Sequence, residues 1–581
     1  MAETINLSKV KREKLLSKLE LLKQQIDDED IIATLNEVET ELTKKKYGLV
    51  WEEHSEEVDE QMKSNIPIFI EDKNKEIISD ETLPFNFLLE GDNLHSLKLL
   101  EKTHKGKIDI IYIDPPYNTL QNDFMYDDKF LSKEDTFIHS MWLSFMDKRL
   151  RIAKNLLKEN GFIFISIDDH EAAQLKLLCD EVFGESNYQN TYYIQVRYAD
   201  KILKSDMRYH KQIEQVLVYG KTSQSVPWLK PEEYNYDKFN FRIIELNRGK
   251  EMQIGNKRVE IFQKGDYQIE KLPSGSKTGL KEIWASGTIL NGNSSGRFFR
   301  DYLQGRKEID GLGVLYKVYD IGDDQYNYRY FTGPQKANAT KGKYYQGVPL
   351  DKLKENSQKT TPLPNYYDMA ADFGNIRHEG GVDFGSGKKP VKLIKLFIDY
   401  FEHKNITVLD FFAGSGTTAQ AVLEANLNDG GTRKFILCTN NQNQICEKKT
   451  YKRLINLNQG LNINGRKTEV SYEFNCKYYK TSFIPKTNDG TVNSRLLDSI
   501  TELIKLEHHC EIDNHSIKIA FNDEEMDRII EEGLSECRKL FVGNEVFLTS
   551  EQEKILENYG VEIIDIPEYY FAEELREVDE I

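Results

Sequence analysis

Two short stretches of this chain read as strands buried on both faces, and each ends in a carboxylate followed at once by a rigid or glycine-rich turn. "KIDIIYID" (residues 107–114) and "ITVLD" (residues 406–410) are apolar runs with little alternation. That is the pattern of a strand inside a parallel sheet covered on both sides. "FIFISID" (residues 162–168) and "RKFILCTNN" (residues 433–441) read the same way. Between them lie amphipathic helical patterns, "MWLSFMDKRLRIAKNLLKENG" (residues 141–161) and "EAAQLKLLCDEVFG" (residues 171–184). Strand alternating with helix predicts an α/β parallel-sheet fold.

The rhythm is interrupted. Residues 191–360 are rich in Tyr, Asn, Gly, Lys and Arg, with short strand-like pieces such as "QVLVYG", "RVEIFQ" and "GVLYKVYDI". The α/β pattern resumes at "PVKLIKLFIDYFE", so the middle reads as an insertion into one Rossmann-like domain. The predicted organisation is residues 1–80, helices and an acidic linker; 81–190, first half of the α/β domain; 191–360, a loop-rich mixed domain; 361–475, second half; 476–581, a small acidic α/β domain. The formal charge is −18 over 581 residues, which by itself argues against a polyanionic partner. By region it does not: residues 191–360 carry roughly +9 and residues 481–581 roughly −16, a basic middle suited to a polyanion. The six cysteines are scattered, with no CxxC pair. Neither a zinc site nor a disulfide framework is expected, and a reducing cytoplasm is the simplest setting. No bilayer-spanning run and no secretory signal are expected.

The two strand ends carry the chemistry. After Asp410 comes "FFAGSGTT": small residues that let a backbone approach a ligand, then a helix whose first N–H groups are free. This is neither GxGxxG nor a Walker A loop, because Thr417 and Thr418 follow and no GxxxxGK[ST] occurs. After the other strand comes Asp114-Pro115-Pro116-Tyr117. An acid at the carboxyl end of a buried strand points to the crevice where open α/β sheets bind ligands. The prolines fix φ and lack N–H groups. The Asp114 carboxylate and Pro115 carbonyl suit the two N–H bonds of an exocyclic amino group, and Tyr117 suits a planar base. Stacking of a base on an aromatic ring is worth roughly 1–3 kcal/mol.

"DPPY" followed far downstream by "FAGSG" resembles the S-adenosylmethionine-dependent amino-methyltransferases of DNA. The catalytic motif precedes the cofactor motif, with a large domain between, as in the β class of N6-adenine DNA methyltransferases. The chain is most similar to the modification (Mod) subunits of type III restriction-modification systems. Also carrying the resemblance are "LLEGDNLHSLKLL", "NDFMYDDKF", "EIWASGTI", "KYYQG" and "KKPVKLIKLF". The resemblance implies that Asp114, Pro115, Pro116 and Tyr117 hold a flipped adenine. It implies that Asp410, Phe412, Gly414, Ser415, Gly416 and Thr417 form the S-adenosyl-L-methionine turn, with Asp92 at the cofactor's adenine side. Lys389 and Pro390 fall in the segment that wraps the cofactor. No metal is implied. Many relatives place an acid after the next strand for the ribose hydroxyls; here Thr439, Asn440 and Asn441 stand there, and amides also bond hydroxyls.

The middle domain is then the expected target-recognition domain, and "NDFMYDDKF" an expected mobile loop near the base. Further implied are double-stranded DNA as substrate, a homodimer, a bacterial cytoplasmic setting, and room for a separate helicase-nuclease (Res) partner. N4-cytosine methylation needs the same geometry and is the nearest rival; Asp rather than Ser at the first motif position favours adenine by resemblance. RNA is a weaker rival as substrate. A non-catalytic DNA-recognition subunit for a nuclease partner is the rival from another class, and the intact "DPPY" and "FAGSG" argue against it. Trp142 and Trp284 read as packing residues, and His210 and Glu214 receive no role.

Overall fold

The computed structural model describes residues 7–26, 28–43, 51, 54–119, 125–126, 129–130, 138–200, 209–285, 294–354, 358–384, 387–486, 491–567 and 570. It divides into two compact units, residues 1–228 with 364–581, and the insert Leu229–Leu363.

The larger unit begins with helices α1 (Leu7–Lys23) and α2 (Glu29–Thr43), tied by a Lys23–Glu39 ion pair. Then follow α3 (Glu57–Ser64), β1 (Asn65–Glu71), β2 (Phe85–Glu90), α4 (Asn93–His104), β3 (Ile108–Ile113), α5 (Ile138–Leu156), β4 (Leu157–Ile167), α6 (Ala172–Cys179), β5 (Tyr188–Gln195) and β6 (Ile213–Gly220). After the insert come β7 (Tyr366–Asp368), α7 (Val391–Ile398), β8 (Thr407–Asp410), α8 (Thr417–Asp429), β9 (Lys434–Thr439), α9 (Lys452–Gln459) and β10 (Asn475–Pro485). The strands form one ten-stranded sheet in the order β1-β10-β2-β9-β8-β3-β4-β6-β5-β7. From β10 to β4 every pairing is parallel.

β3 is buried throughout. Its Ile111 and Ile113 face one core, with Leu97, Leu100, Trp142 and Leu150 of α4 and α5. Ile110 and Tyr112 face the other, with Ile394, Phe397, Val422 and Leu454 of α7, α8 and α9. Both faces are covered, so the run has no polar alternation. β8 and β3 are neighbours although about 300 residues separate them in sequence. The chain leaves β8 toward β9 and leaves β3 toward β4. The sheet's topological switch point therefore lies between them, where open α/β sheets bind ligands.

Two expected boundaries move. β5 and β6 pair antiparallel with each other, and β6 pairs antiparallel with β4, so "QVLVYG" belongs to the central sheet and the insert begins at Leu229, not 191. Loss of the strand-helix rhythm marks the edge hairpin, not a new unit. Likewise β10 pairs with β2 and β1, so the strand at the expected 476 boundary is part of the central sheet. The acidic C-terminal stretch holds α10 (Thr491–His508), β11 (Ile517–Asn522), α11 (Asp523–Glu532), β12 (Lys539–Glu545), α12 (Ser550–Tyr559) and β13 (Glu562–Asp565). Its three strands form a parallel sheet, and Leu503, Ile504 and Phe541 join the same core as α4.

The insert has its own six-stranded antiparallel sheet, running from Lys250–Ile254 to Lys281–Trp284. Val259, Phe299, Tyr316, Phe331 and Tyr344 fill its core. It carries a net charge of roughly +6 in a protein of −18.

Candidate active site

The carboxyl ends of β2, β9, β8 and β3 open on one cavity of about 720 Å³. Asp92, Asn93 and His95 line it after β2; Thr439 and Asn440 after β9; Phe411, Phe412 and Gly414 after β8; Asp114, Pro115 and Pro116 after β3. The two motifs that the chain keeps far apart thus share one wall.

On the glycine side, Asp410 is buried and accepts hydrogen bonds from the Phe412 N–H at 3.0 Å and the Thr418 hydroxyl at 2.5 Å. Burial pushes its pKa up to about 7. Gly414 and Gly416 have φ of 48° and 74°, left-handed values that glycine adopts without strain. A Cβ on Gly414 would meet only the Phe412 carbonyl, 3.7 Å away, so the turn's cavity side is open to a close ligand. Ser415 and Thr417 bond to each other at 3.0 Å, and Arg453 donates to Thr417 at 2.9 Å. Of the expected cofactor residues, Phe412, Gly414 and Asp92 face the cavity. Asp410, Ser415, Gly416 and Thr417 build the turn behind it. Because Asp410 has a raised folded pKa, it favours the folded state below about pH 4 and loses that contribution as pH rises toward 7. Asp410→Asn is expected to flatten this part of the pH dependence of the melting temperature, checked by thermal melts from pH 4 to 8.

Asp92 caps α4, accepting from the Leu94 and His95 N–H groups at 2.7 and 3.3 Å. His95 is buried with Nε2 unpaired among the described residues, and burial lowers its pKa to about 4, so its ring is neutral. Beneath them, fully buried Arg149 clamps Glu56 through two 2.8 Å bonds and Asn93 through one of 2.6 Å. Asn93 in turn donates to the Phe411 carbonyl at 2.9 Å. These contacts tie α3, α4, α5 and the glycine turn together. Sequence reasoning misses Glu56 and Arg149, yet Arg149 carries a signal: it sits on the apolar stripe Trp142, Met146, Arg149, Leu150, Ala153 of α5.

On the other side, Asp114 follows β3 directly. Its Oδ1 accepts from the Tyr117 hydroxyl at 2.8 Å and lies 3.1 Å from Lys389 Nζ. Burial raises its pKa against the pull of Lys389, and Glu214 adds to the rise. Burial and the two carboxylates push the Tyr117 phenol well up, so it stays protonated. The loop is pinned from behind. Trp142 is buried and its indole N–H donates to the Pro116 carbonyl at 2.8 Å. Asn118 takes a left-handed φ of 58° with its amide bonded to Glu171 at 2.5 Å. Trp142 is therefore packing residue and anchor at once, and the Pro116 carbonyl is occupied.

Two of the expected site residues make contacts that the sequence does not suggest. The resemblance puts Lys389 in the segment that wraps the cofactor. Its ammonium instead lies between Asp114 and Glu214 (3.0 Å) and donates to the Tyr117 hydroxyl at 2.6 Å. Pro390 only precedes α7 at its cap position. Tyr117 is expected as a stacking plate; its hydroxyl is held by Asp114 and Lys389, and Lys389 Nζ lies 4.9 Å from its ring centroid. Thr439 and Asn440 face the cavity as expected, whereas the Asn441 side chain accepts from the Glu447 N–H at 3.3 Å. The expected loop at residues 122–130 lies outside the described residues except for a two-residue strand pair, Met125–Tyr126 with Lys129–Phe130.

A DNA methylase family profile matches residues 108–453, more than half of the chain, including both turns that meet at the cavity. The protein belongs to this DNA methylase family. Among curated relatives, the type III restriction-modification enzyme StyLTI Mod subunit of Salmonella typhimurium is 31% identical over 67% of this chain and 58% of its own length. The EcoPI Mod subunit of Escherichia phage P1 is 28% identical over 70% of this chain and 66% of its own. The type II methyltransferase M.KpnI of Klebsiella pneumoniae is 30% identical over 60% and 79%. The chain thus spans about three fifths of the two Mod relatives. The family match begins at β3 and closes on α9, so it encloses the insert as well as the paired motifs.

Proposed function

We propose that this DNA methylase transfers a methyl group from S-adenosyl-L-methionine to N6 of an adenine in a short DNA sequence, as the Mod subunit of a type III restriction-modification system. One observation carries the reading: Asp114 and the Phe412–Gly414 turn, remote in sequence, end adjacent parallel strands and line the same cavity.

The residues present fit the cofactor. An open glycine edge, apolar Phe411 and Phe412, the Asp92 carboxylate, the unpaired His95 nitrogen, and Thr439 with Asn440 together match a ligand that joins a charged amino acid, a ribose and a purine. Asp92, Phe412, Gly414, Thr439 and Asn440 would hold it. When bound, it supplies an electrophilic methyl on a sulfonium.

The chain's own part is to seat and polarise the acceptor. An N6 inside a duplex is out of reach, so the base must leave the stack at a cost of a few kcal/mol. Asp114 accepts from the amino group and draws its lone pair out of the ring. As positive charge grows on that nitrogen, the fixed carboxylate stabilises it, and the methylated nitrogen then gives up one proton to Asp114 or solvent. Pro115 and Pro116, held by Trp142, keep the carboxylate in place without reorganisation.

The insert is the proposed recognition unit. It carries a cavity of about 770 Å³ lined by Tyr267, Trp284, Gln335, Lys336, Asn338 and Lys341, groups suited to phosphate and base-edge contacts. Trp284 is 61% exposed, which is not how a packing residue sits. We include in the proposal a homodimer, a cytoplasmic setting and a Res partner. Among the described residues no helix is long and apolar enough to cross a membrane.

Sequencing of DNA from cells with and without this chain tests the reading. N6-methyladenine at one short motif is expected. N4-methylcytosine would replace the adenine assignment, and unmodified DNA would overturn catalysis.

A further inference from the structure

Lys389 and Glu214 come from opposite sides of the insert and meet at the catalytic carboxylate. Lys389, before α7, is 7% exposed; Glu214, on β6, is partly buried. The ammonium has three partners: Asp114 Oδ1 at 3.1 Å, Glu214 Oε2 at 3.0 Å and the Tyr117 hydroxyl at 2.6 Å. Tyr117 completes the ring, donating to Asp114 Oδ1 at 2.8 Å with Glu214 Oε2 at 3.3 Å. Both contacts to Asp114 fall on Oδ1. No hydrogen bond to Oδ2 occurs among the described residues, and Asp114 is on the cavity wall.

We propose that Lys389 and Glu214 are positioning residues for Asp114: the lysine orients the carboxylate by its inner oxygen and keeps it ionised, while the glutamate draws on the same lysine and limits how strongly it binds. This rests on the methyltransferase reading above. The arrangement solves a conflict. Burial works against the charge on Asp114, and a protonated carboxyl would be a poorer acceptor for an amino group. A lysine bound to it alone would restore the charge but compete with the substrate for it. Sharing the ammonium between two carboxylates gives Asp114 a counter-charge and leaves Oδ2 for the incoming amino group. When that group arrives, Lys389 can move its hydrogen bonds toward Glu214 without becoming an unpaired buried charge.

The charged and titratable groups facing Asp114 are Lys389, Glu214 and Tyr117, with Tyr112 of β3 and Asp410 of β8 behind. Burial opposes the charge on Lys389, but Asp114 and Glu214 outweigh it and hold its pKa above the ordinary lysine value. Lys389 is thus charged throughout the working range. Lys389 lowers and Glu214 raises the pKa of Asp114. Activity needs ionised Asp114, so it falls as pH drops through that pKa.

The test is the pH profile of tritiated methyl transfer from S-adenosyl-L-methionine to unmethylated genomic DNA, with thermal melts run on every variant. Lys389→Met is expected to cut the rate at pH 7 by tenfold or more and move the acidic limb upward. Glu214→Gln is expected to move the same limb downward. Lys389→Arg is expected to restore the limb's position. Opposite shifts cannot come from general damage to the fold. If both variants keep the wild-type limb, or both move it the same way, the inference is wrong. If Lys389→Met does not fold, Glu214→Gln and Lys389→Arg alone decide: an unmoved limb in the first with a raised limb in the second overturns it. A wild-type protein that methylates nothing would instead refute the proposed function.

Discussion

Replacement of Asp114 by alanine is expected to lower methyl transfer by about a hundredfold to a thousandfold while leaving S-adenosyl-L-methionine binding largely intact. The carboxylate is the one side-chain acceptor at the end of β3 that, among the described residues, faces the cavity with a free oxygen, so nothing nearby can take over its hydrogen bond to the amino group. The residues proposed to hold the cofactor lie on other strand ends and are expected to keep their geometry. The fold is expected to survive, because Lys389 remains paired with Glu214 and bonded to Tyr117. Radiolabelled methyl transfer and equilibrium dialysis of the cofactor separate the two effects. Wild-type methylation by the variant would refute the mechanism; loss of cofactor binding would move Asp114 to a different role.

Arg149→Leu is expected to have the largest effect on stability, about 3–5 kcal/mol. Arg149 is fully buried, and its loss leaves Glu56 without its bidentate partner; Lys148, 3.7 Å from Glu56, is the nearest remaining cation among the described residues. Asn93 also loses its hold on the position from which it bonds the Phe411 carbonyl. Cofactor affinity is therefore expected to fall together with the melting temperature. The double variant Glu56→Leu/Arg149→Leu separates charge from packing. Removing both charges leaves no unpaired ion, so much of the lost stability is expected to return. If the double variant is no more stable than Arg149→Leu, the contribution is one of shape and not of charge.

The glycine turn and the acidic loop are legible because each is a local feature with local causes. A strand buried on both faces must be apolar on both sides, a tight turn near a ligand needs glycine, and two prolines stiffen whatever they follow. Residues 107–117 and 406–416 state all of this in a few positions each. The insert is legible only in part. Its composition separates it from the α/β rhythm, but β5 and β6 share that composition because they lie beyond the parallel core, and only the pairing of β6 with β4 and of β5 with β6 assigns them to the sheet.

Lys389, Glu214 and Arg149 show the other limit. Lys389 is visible as a motif residue, but its segment suggests the cofactor. Its partners lie 275 residues upstream at Asp114 and 175 upstream at Glu214, and no local pattern couples them. Glu214 reads as one more polar residue near the start of a strand. Trp142 reads as packing, and it packs, but its N–H finds a carbonyl 26 residues away.

The sequence by itself determined the parallel α/β class, the two turns and the chemistry each can do, since backbone conformation, burial and side-chain type follow from neighbours along the chain. The tertiary structure alone decided that the two turns end adjacent strands, that Lys389 pairs with Asp114 and Glu214, and which oxygen of Asp114 carries the contacts with Lys389 and Tyr117. Those facts depend on strand order and on buried charges finding partners across the fold, and a low-dielectric interior enforces such pairing at distances along the chain that local preference cannot encode.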